Sequence, residues 1–237
     1  MAGPVGHFVC AMAFINSGLS EISYKKDFFA GNLFPDIRYI APIKRSETHL
    51  KNISLKSIID EKNNFRKGHY LHIWLDKERE SFMQSNNIYN FIEYKKYKSQ
   101  IIKITEDYIL FNQIKDLNIN KIFNTTYNEE LKHNLSYKNI YLWHELLKNY
   151  LNSNIINEIR YIKTIYFIAT KLELEKKYLD KSYLYKFKKT IQALALGLYT
   201  SYKIYQLSND KKFCNIVNEF YNIYLVKKLN TYKITSN

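Results

Sequence analysis

Phe65-Arg-Lys-Gly-His-Tyr-Leu-His-Ile-Trp-Leu-Asp76 is a run in which an apolar helix carries ionisable groups. Tyr70, Leu71, Ile73, Trp74 and Leu75 give it the content of a buried helix. His72 and Asp76 stand four apart. At about 100° per residue, both side chains leave one face of a helix, one turn from each other. His69, three residues before His72, shares that face. Ligand-type side chains aimed one way from a helix can clamp a divalent cation. The alternative for the pair alone is a hydrogen bond along the helix.

Three other features lie upstream. Asp36 closes Phe28-Phe-Ala-Gly-Asn-Leu-Phe-Pro-Asp36, where Pro35 predicts an extended Phe34. An aspartate among Phe28, Phe29, Leu33 and Phe34 is costly to bury unpaired. It is expected to face a metal or another cation, or to cap a helix. His49 follows in Arg45-Ser-Glu-Thr-His49, and His7 sits in Val5-Gly-His-Phe-Val9 before a first helix through Ala13. Each histidine alone is consistent with a core or surface residue. Together, His7, His49, His69 and His72 are four of the chain's six histidines, and they fall with Asp36 and Asp76 inside the first 76 residues.

The order His7, then Gly31-Asn-Leu-Phe-Pro-Asp36, then Thr48-His49, then Phe65 to Asp76 resembles the zinc-dependent phospholipase C family in its broad sense, a group that includes many small bacterial homologues. The resemblance covers about residues 1–80. It implies an all-helical fold and zinc ions that activate water against a phosphodiester. It further implies that Asp36, His49, His72 and Asp76 hold one metal, and that His7 joins a bridging Asp76 to hold a second. No later His-x-x-x-Glu pair is found for a third ion, because His133 and His144-Glu145 have the wrong spacing. A mono- or dinuclear site is expected. His69 is extra to the pattern, with a place as a hydrogen-bond donor behind the ligands, a proton shuttle or a solvent-facing residue.

Glycine and proline divide the chain. Pro4, Pro35 and Pro42 and five of the six glycines lie in the first 68 residues. Short helices and shaped loops are expected there, and long helices afterwards. Apolar residues recur at three and four in Ile140–Leu151, Ile159–Leu174 and Ile191–Leu207, an amphipathic pattern. No period-2 alternation argues for a sheet. The expectation is an all-α, compact multi-helix bundle forming one domain over 1–237. Its parts are a metal-site segment at 1–80, long basic Tyr/Lys-rich helices at 81–228 and a frayed tail at 229–237. Asn118–Asn128 is the expected long connection.

The chain has 36 Lys and Arg against 22 Asp and Glu, a formal net charge of +14, and most of the excess lies after residue 80. A basic surface can meet a phosphorylated substrate, anionic lipid or nucleic acid. The Tyr/Lys runs at 94–98 and 183–189 suit lipid or RNA, or a helix whose lysine stems cover an aromatic flank. Cys10 and Cys214 form no metal pair and no disulfide framework. No signal peptide and no run of roughly 20 apolar residues is seen, which leads to a cytoplasmic expectation.

The expected activity is metal-dependent hydrolysis of a phosphate ester, phospholipase C-like, on a small-molecule or lipid substrate. Metal ligands would be His7, Asp36, His49, His72 and Asp76, with Asp36 and His69 catalytic. Zinc, one or two ions, is the expected cofactor, and manganese, iron or nickel suit the same ligands. Lys44, Arg45, Arg66 and Lys67 flank the motifs and are candidates to neutralise phosphate. The alternative is a non-catalytic helical binding protein with a residual structural metal and a basic surface for lipid or nucleic acid. An HD-type nucleotide phosphohydrolase is disfavoured, since no His-Asp doublet occurs.

Overall fold

The periodic segment Ile140–Leu151 folds as a helix, and no strand occurs among the described residues. The structure is a computed structural model describing residues 2–93, 97–152 and 199–236. In chain order its helices are α1 (Pro4–Ser17), α2 (Lys25–Leu33), α3 (Arg45–Thr48), α4 (Leu55–Asp60), α5 (Asn64–Ser85), α6 (Lys98–Leu110), α7 (Ile119–Ile122), α8 (Asn128–Leu131) and α9 (Tyr137–Asn152). Residues 199–208 are helical, followed by α10 (Lys211–Asn218), a π-helical turn (Glu219–Tyr224) and α11 (Leu225–Ser236). Ile159–Leu174, the Tyr/Lys run at 183–189, residues 94–96 of the other run and residues 191–198 lie outside the described residues.

α1 is the central element. It packs against α2, α5, α6, α9 and α11, and Val5 through Ala11 are all buried. One apolar cluster runs from Ala2 through Leu229 and joins the N-terminal helices to the C-terminal ones. α5 starts at Asn63, whose side chain accepts the Arg66 amide at 2.9 Å, and runs 22 residues. The closest pairing in the molecule is α2 on α5. Two facing glycines make it possible. A β-carbon on Gly31 would lie 1.9 Å from the Phe65 carbonyl oxygen, and one on Gly68 would lie 2.0 Å from that of Phe28. Backbone therefore meets backbone, with no side chain between.

Three expectations change. Phe34 is helical (φ −55°, ψ −41°), although it precedes Pro35. α2 runs on into a 3-10 turn (Phe34–Tyr39), where Pro35 stands near the start and its missing amide is not needed. The long connection expected at Asn118–Asn128 carries a helical turn rather than plain loop. Residues 111–131 break into a 3-10 turn and the single turns α7 and α8, because Asn118 and Tyr127 each start a new turn. The tail expected to fray beyond 229 is helical to Ser236: Leu229 is buried, and the Lys233 ammonium donates to the Ser17 carbonyl at 3.0 Å.

Candidate metal centre

Four separate pieces of backbone bring five ligand-type side chains together. His7 comes from the first turn of α1, Asp36 from the 3-10 turn and His49 from the residue after α3. His72 and Asp76 come from one face of α5. The five form two overlapping sets, His7/His72/Asp76 and Asp36/His49/His72, and in each the ligand atoms lie within 4.8 Å of one another. The site is deep: His7 and His72 have no exposed surface.

Asp76 is the hub, and its two oxygens face different partners. Oδ1 lies 3.5 Å from His7 Nε2 and accepts the Ala2 amide at 2.8 Å. Oδ2 lies 3.6 Å from both His49 Nε2 and His72 Nε2. These nitrogen–oxygen gaps exceed the usual hydrogen-bond range of about 2.7–3.2 Å. They match two ligands on one ion, since atoms held at about 2.1 Å on a tetrahedral centre stand roughly 3.4 Å apart. The Nε2 atoms of His7, His49 and His72 and Asp36 Oδ1 are buried with no hydrogen-bond partner. Buried polar atoms are rarely left so. The donor set, its spacing and its orphaned atoms fit a divalent ion. An Asp76 with one oxygen toward each histidine group has the form of a bridging carboxylate.

The surrounding backbone fixes which ring nitrogens face inward. His72 Nδ1–H donates to the Asn32 carbonyl at 2.7 Å, so Nε2 offers its lone pair to the site. That bond depends on the glycine contact between α2 and α5. His49 Nδ1 meets Thr48 Oγ1 at 3.0 Å. The Thr48 hydroxyl donates to the Arg45 carbonyl at 3.4 Å and so accepts from His49, again leaving Nε2 free to ligate. The His7 ring stacks on His72, centroids 3.8 Å apart and planes 3° from parallel.

Burial, then the neighbouring His7, pushes the His72 imidazole well below its usual range. It is the neutral, ligating form. Burial works against charge on Asp76, but His72, His49 and His7 outweigh it and hold the carboxyl well below the usual range. Asp36 moves the other way: burial and then Asp76 raise it, against His7, Lys103 and Arg38.

His69 belongs to neither set. It is buried, so it does not face solvent, and its Nε2–H donates to the Thr48 carbonyl. Burial pushes it down to about 4. A neutral His69 thus ties α5 to the residue before His49. Among the flanking cations, Arg66 pairs with Glu61 at 3.0 Å and Lys67 donates to Ser20 and the Glu21 carbonyl, both away from the ligands. His144 is buried against Glu130 Oε1 at 2.8 Å, between Phe123 and Tyr127, as part of the core.

Two cations near the ligands were not singled out from sequence. Arg38 Nη2 lies 3.6 Å from Asp36 Oδ1 and donates to the Tyr39 hydroxyl at 2.8 Å. Lys103 of α6 acts electrostatically on both Asp36 and Asp76. Arg38 was legible as the second residue after Asp36. Lys103 carried no signal, since only the packing of α6 on α1 brings it near. Compared with family models, curated proteins and solved structures, the chain gives no significant match.

Proposed function

We propose that the five-residue cluster is a divalent-metal centre that hydrolyses a phosphate ester, with a phosphodiester of the phospholipase C type as the expected substrate. The single observation that carries this reading is the Asp76 carboxylate ringed by three unpartnered imidazole nitrogens at 3.5–3.6 Å. The order of motifs over residues 7–76 supports the substrate class. Zinc suits the nitrogen and oxygen ligands, and manganese, iron or nickel are the other candidates.

When bound, the ion lowers the pKa of a water and polarises a phosphoryl oxygen. Asp36 is the base of this reading. Its place at the edge of the ligand cluster, with 12% of its side chain exposed, suits it to take a proton from water. On this reading substrate approaches past Asp36 and Arg38, whose side chains are 12% and 15% exposed. His69 holds the Thr48–His49 segment in register. His72 stays neutral, and Asn32 and Thr48 orient His72 and His49 respectively.

The depth of His7 and His72 also favours a second reading, in which the metal only stabilises the fold. One experiment separates the two. Metal content of purified protein, measured by mass spectrometry, is expected at one or two ions per chain and lost in His72→Ala. Hydrolysis of bis(4-nitrophenyl) phosphate is expected in the wild type and reduced at least ~100-fold in Asp36→Asn that keeps bound metal, the scale of a lost general base. Metal without hydrolysis of any phosphodiester supports the structural reading. Absence of metal after supplementation overturns both.

A further inference from the structure

A groove lies on the far side of α1 from the ligands. His7 and Asn16 are nine residues apart, which at about 100° per residue puts them on opposite faces of that helix. The face with Val9, Met12, Ala13 and Asn16 turns toward α11 and the π-helical turn before it, and a cavity of about 540 Å³ opens between them. Pockets for small molecules usually measure about 300–1,000 Å³. Along α1 this one runs from Val9 to Ser17, about 12 Å at 1.5 Å per residue.

Its sides are apolar and its ends differ. Val9 and Leu229 are buried, Met12 and Ala13 are half-buried, and Val226 keeps 38% of its surface exposed. At the Val9 end, Gln113 Nε2 donates to Asn222 Oδ1 at 3.5 Å, so two carboxamides close the groove. At the Ser17 end stands Lys233. It shares a face of α11 with Val226, Leu229 and Asn230, by a spacing of three, four and seven residues. Its ammonium donates to the Ser17 carbonyl at 3.0 Å. An ammonium has three donors. Among the described residues Lys233 uses one, in that bond, and makes no ion pair. No Asp or Glu lines the groove. Narrow apolar sides with a cation at one end and no carboxylate complement an alkyl chain that ends in an anion. Burial of the chain supplies the affinity and the charge sets its direction.

We propose that this groove binds a medium-chain fatty acid. The alkyl chain lies between α1 and α11, and the carboxylate meets Lys233, with the exposed Asn16 and Asn230 amides beside it. The site is separate from the metal centre, so each stands or falls alone.

The test is calorimetric titration of decanoate, below its micelle concentration, into full-length protein, beside decanol as the uncharged match. Wild type is expected to bind decanoate about 5-fold more tightly than decanol, the upper scale of an exposed ion pair. Lys233→Met removes that preference and leaves decanol affinity unchanged. Val226→Glu, which sets a carboxylate in the groove, weakens decanoate at least ~10-fold. If Val226→Glu does not fold, Asn230→Trp at the exposed rim blocks the groove instead. Zinc content stays at the wild-type level in every variant. A wild type that takes no decanoate overturns the proposal. So does decanoate bound no better than decanol and unaffected by Lys233→Met, which marks unspecific apolar binding. Decanoate affinity unchanged in Val226→Glu or its substitute places the ligand elsewhere and overturns it too. A wild-type dimer that binds no decanoate and that Val226→Glu dissociates, seen by sedimentation, makes a second copy the occupant and also overturns it.

Discussion

One helix, α5, presents two buried polar clusters less than a turn apart, and they are built in opposite ways. Around Asp76, imidazole nitrogens face a carboxylate at distances too long to bond, and several of their atoms have no partner. Around Arg79, three residues on, the atoms are satisfied. Arg79 Nε donates to Glu106 Oε2 at 2.8 Å, Nη2 donates to Oε1, and Nη1 reaches the Tyr89 hydroxyl at 3.3 Å. Next to it, the Asp107 carboxylate accepts the Gly6 amide at 3.0 Å and the Tyr150 hydroxyl at 2.6 Å. Both clusters are buried, the open one reaching the surface only at its edge through His49 and Asp36. Burial of polar groups therefore does not by itself mark a ligand site. Incompleteness does: one cluster is finished by protein, and the other is shaped for something the chain does not supply.

The contrast can be broken most sharply at Arg79. Arg79→Met leaves Glu106 buried and uncompensated, and urea unfolding should show a loss of about 3–5 kcal/mol, the same with and without metal. A variant as stable as wild type would refute the closed-cluster description. The open cluster should behave the other way. Wild-type protein with zinc at ~1,000 times its dissociation constant should gain about 4 kcal/mol in a thermal melt, and His7→Phe should lose most of that gain. Without metal, His7→Phe keeps a ring on His72, removes two unpartnered nitrogens, and should match wild type or exceed it by up to about 1 kcal/mol. A large metal-free loss would mean that His7 is satisfied after all.

Asp107 tests the closed side by pH. Burial, against the Tyr150 and backbone hydrogen bonds, pushes its carboxyl up to about 7. Between its ordinary value near 4 and 7, the unfolded chain has released this proton and the folded chain has kept it. The contribution is therefore full below about pH 4 and lost as pH rises through about 7. His69 and His72, whose folded values are depressed, act with the opposite sign over part of that range. The difference between wild type and Asp107→Asn cancels them. That difference should shift against wild type by roughly 4 kcal/mol from pH 4 to pH 8. A flat difference would remove Asp107 from the argument. The smallest expected effect joins both clusters to the fold. Gly68→Ala drives a β-carbon toward the Phe28 carbonyl, costing about 1–3 kcal/mol. By moving Asn32 away from His72 it should also weaken zinc binding several-fold. Unchanged zinc affinity would show that the Asn32–His72 bond does not orient the ligand.

The His72/Asp76 pair was legible as two ligand-type groups on one face because its signal is local. His72 and Asp76 share a helix face by spacing alone, and the structure places the five residues in two groups of three that share His72. The all-helical class was legible for the same reason, since a 3.6-residue period is written in the chain itself. His69 shows the limit: spacing placed it on the ligand face, while the Thr48 carbonyl, 21 residues away in sequence, determined its bond. Arg66 and Lys67 show it too. They adjoin the motif in sequence, but a helix turns their side chains to Glu61 and to the Ser20–Glu21 loop.

Sequence alone thus determined which elements form and which residue types are available to an ion, because periodicity and i, i+4 spacing are properties of a single helix. Tertiary structure decided which atoms face the interior of the cluster, that Asp76 divides its two oxygens between histidine groups, and that Arg79 is closed off by Glu106. Each of these depends on where a second helix crosses. Here that crossing is set by two glycines on α2 and α5 and by the burial of α1 among its neighbours, neither of which any local pattern encodes.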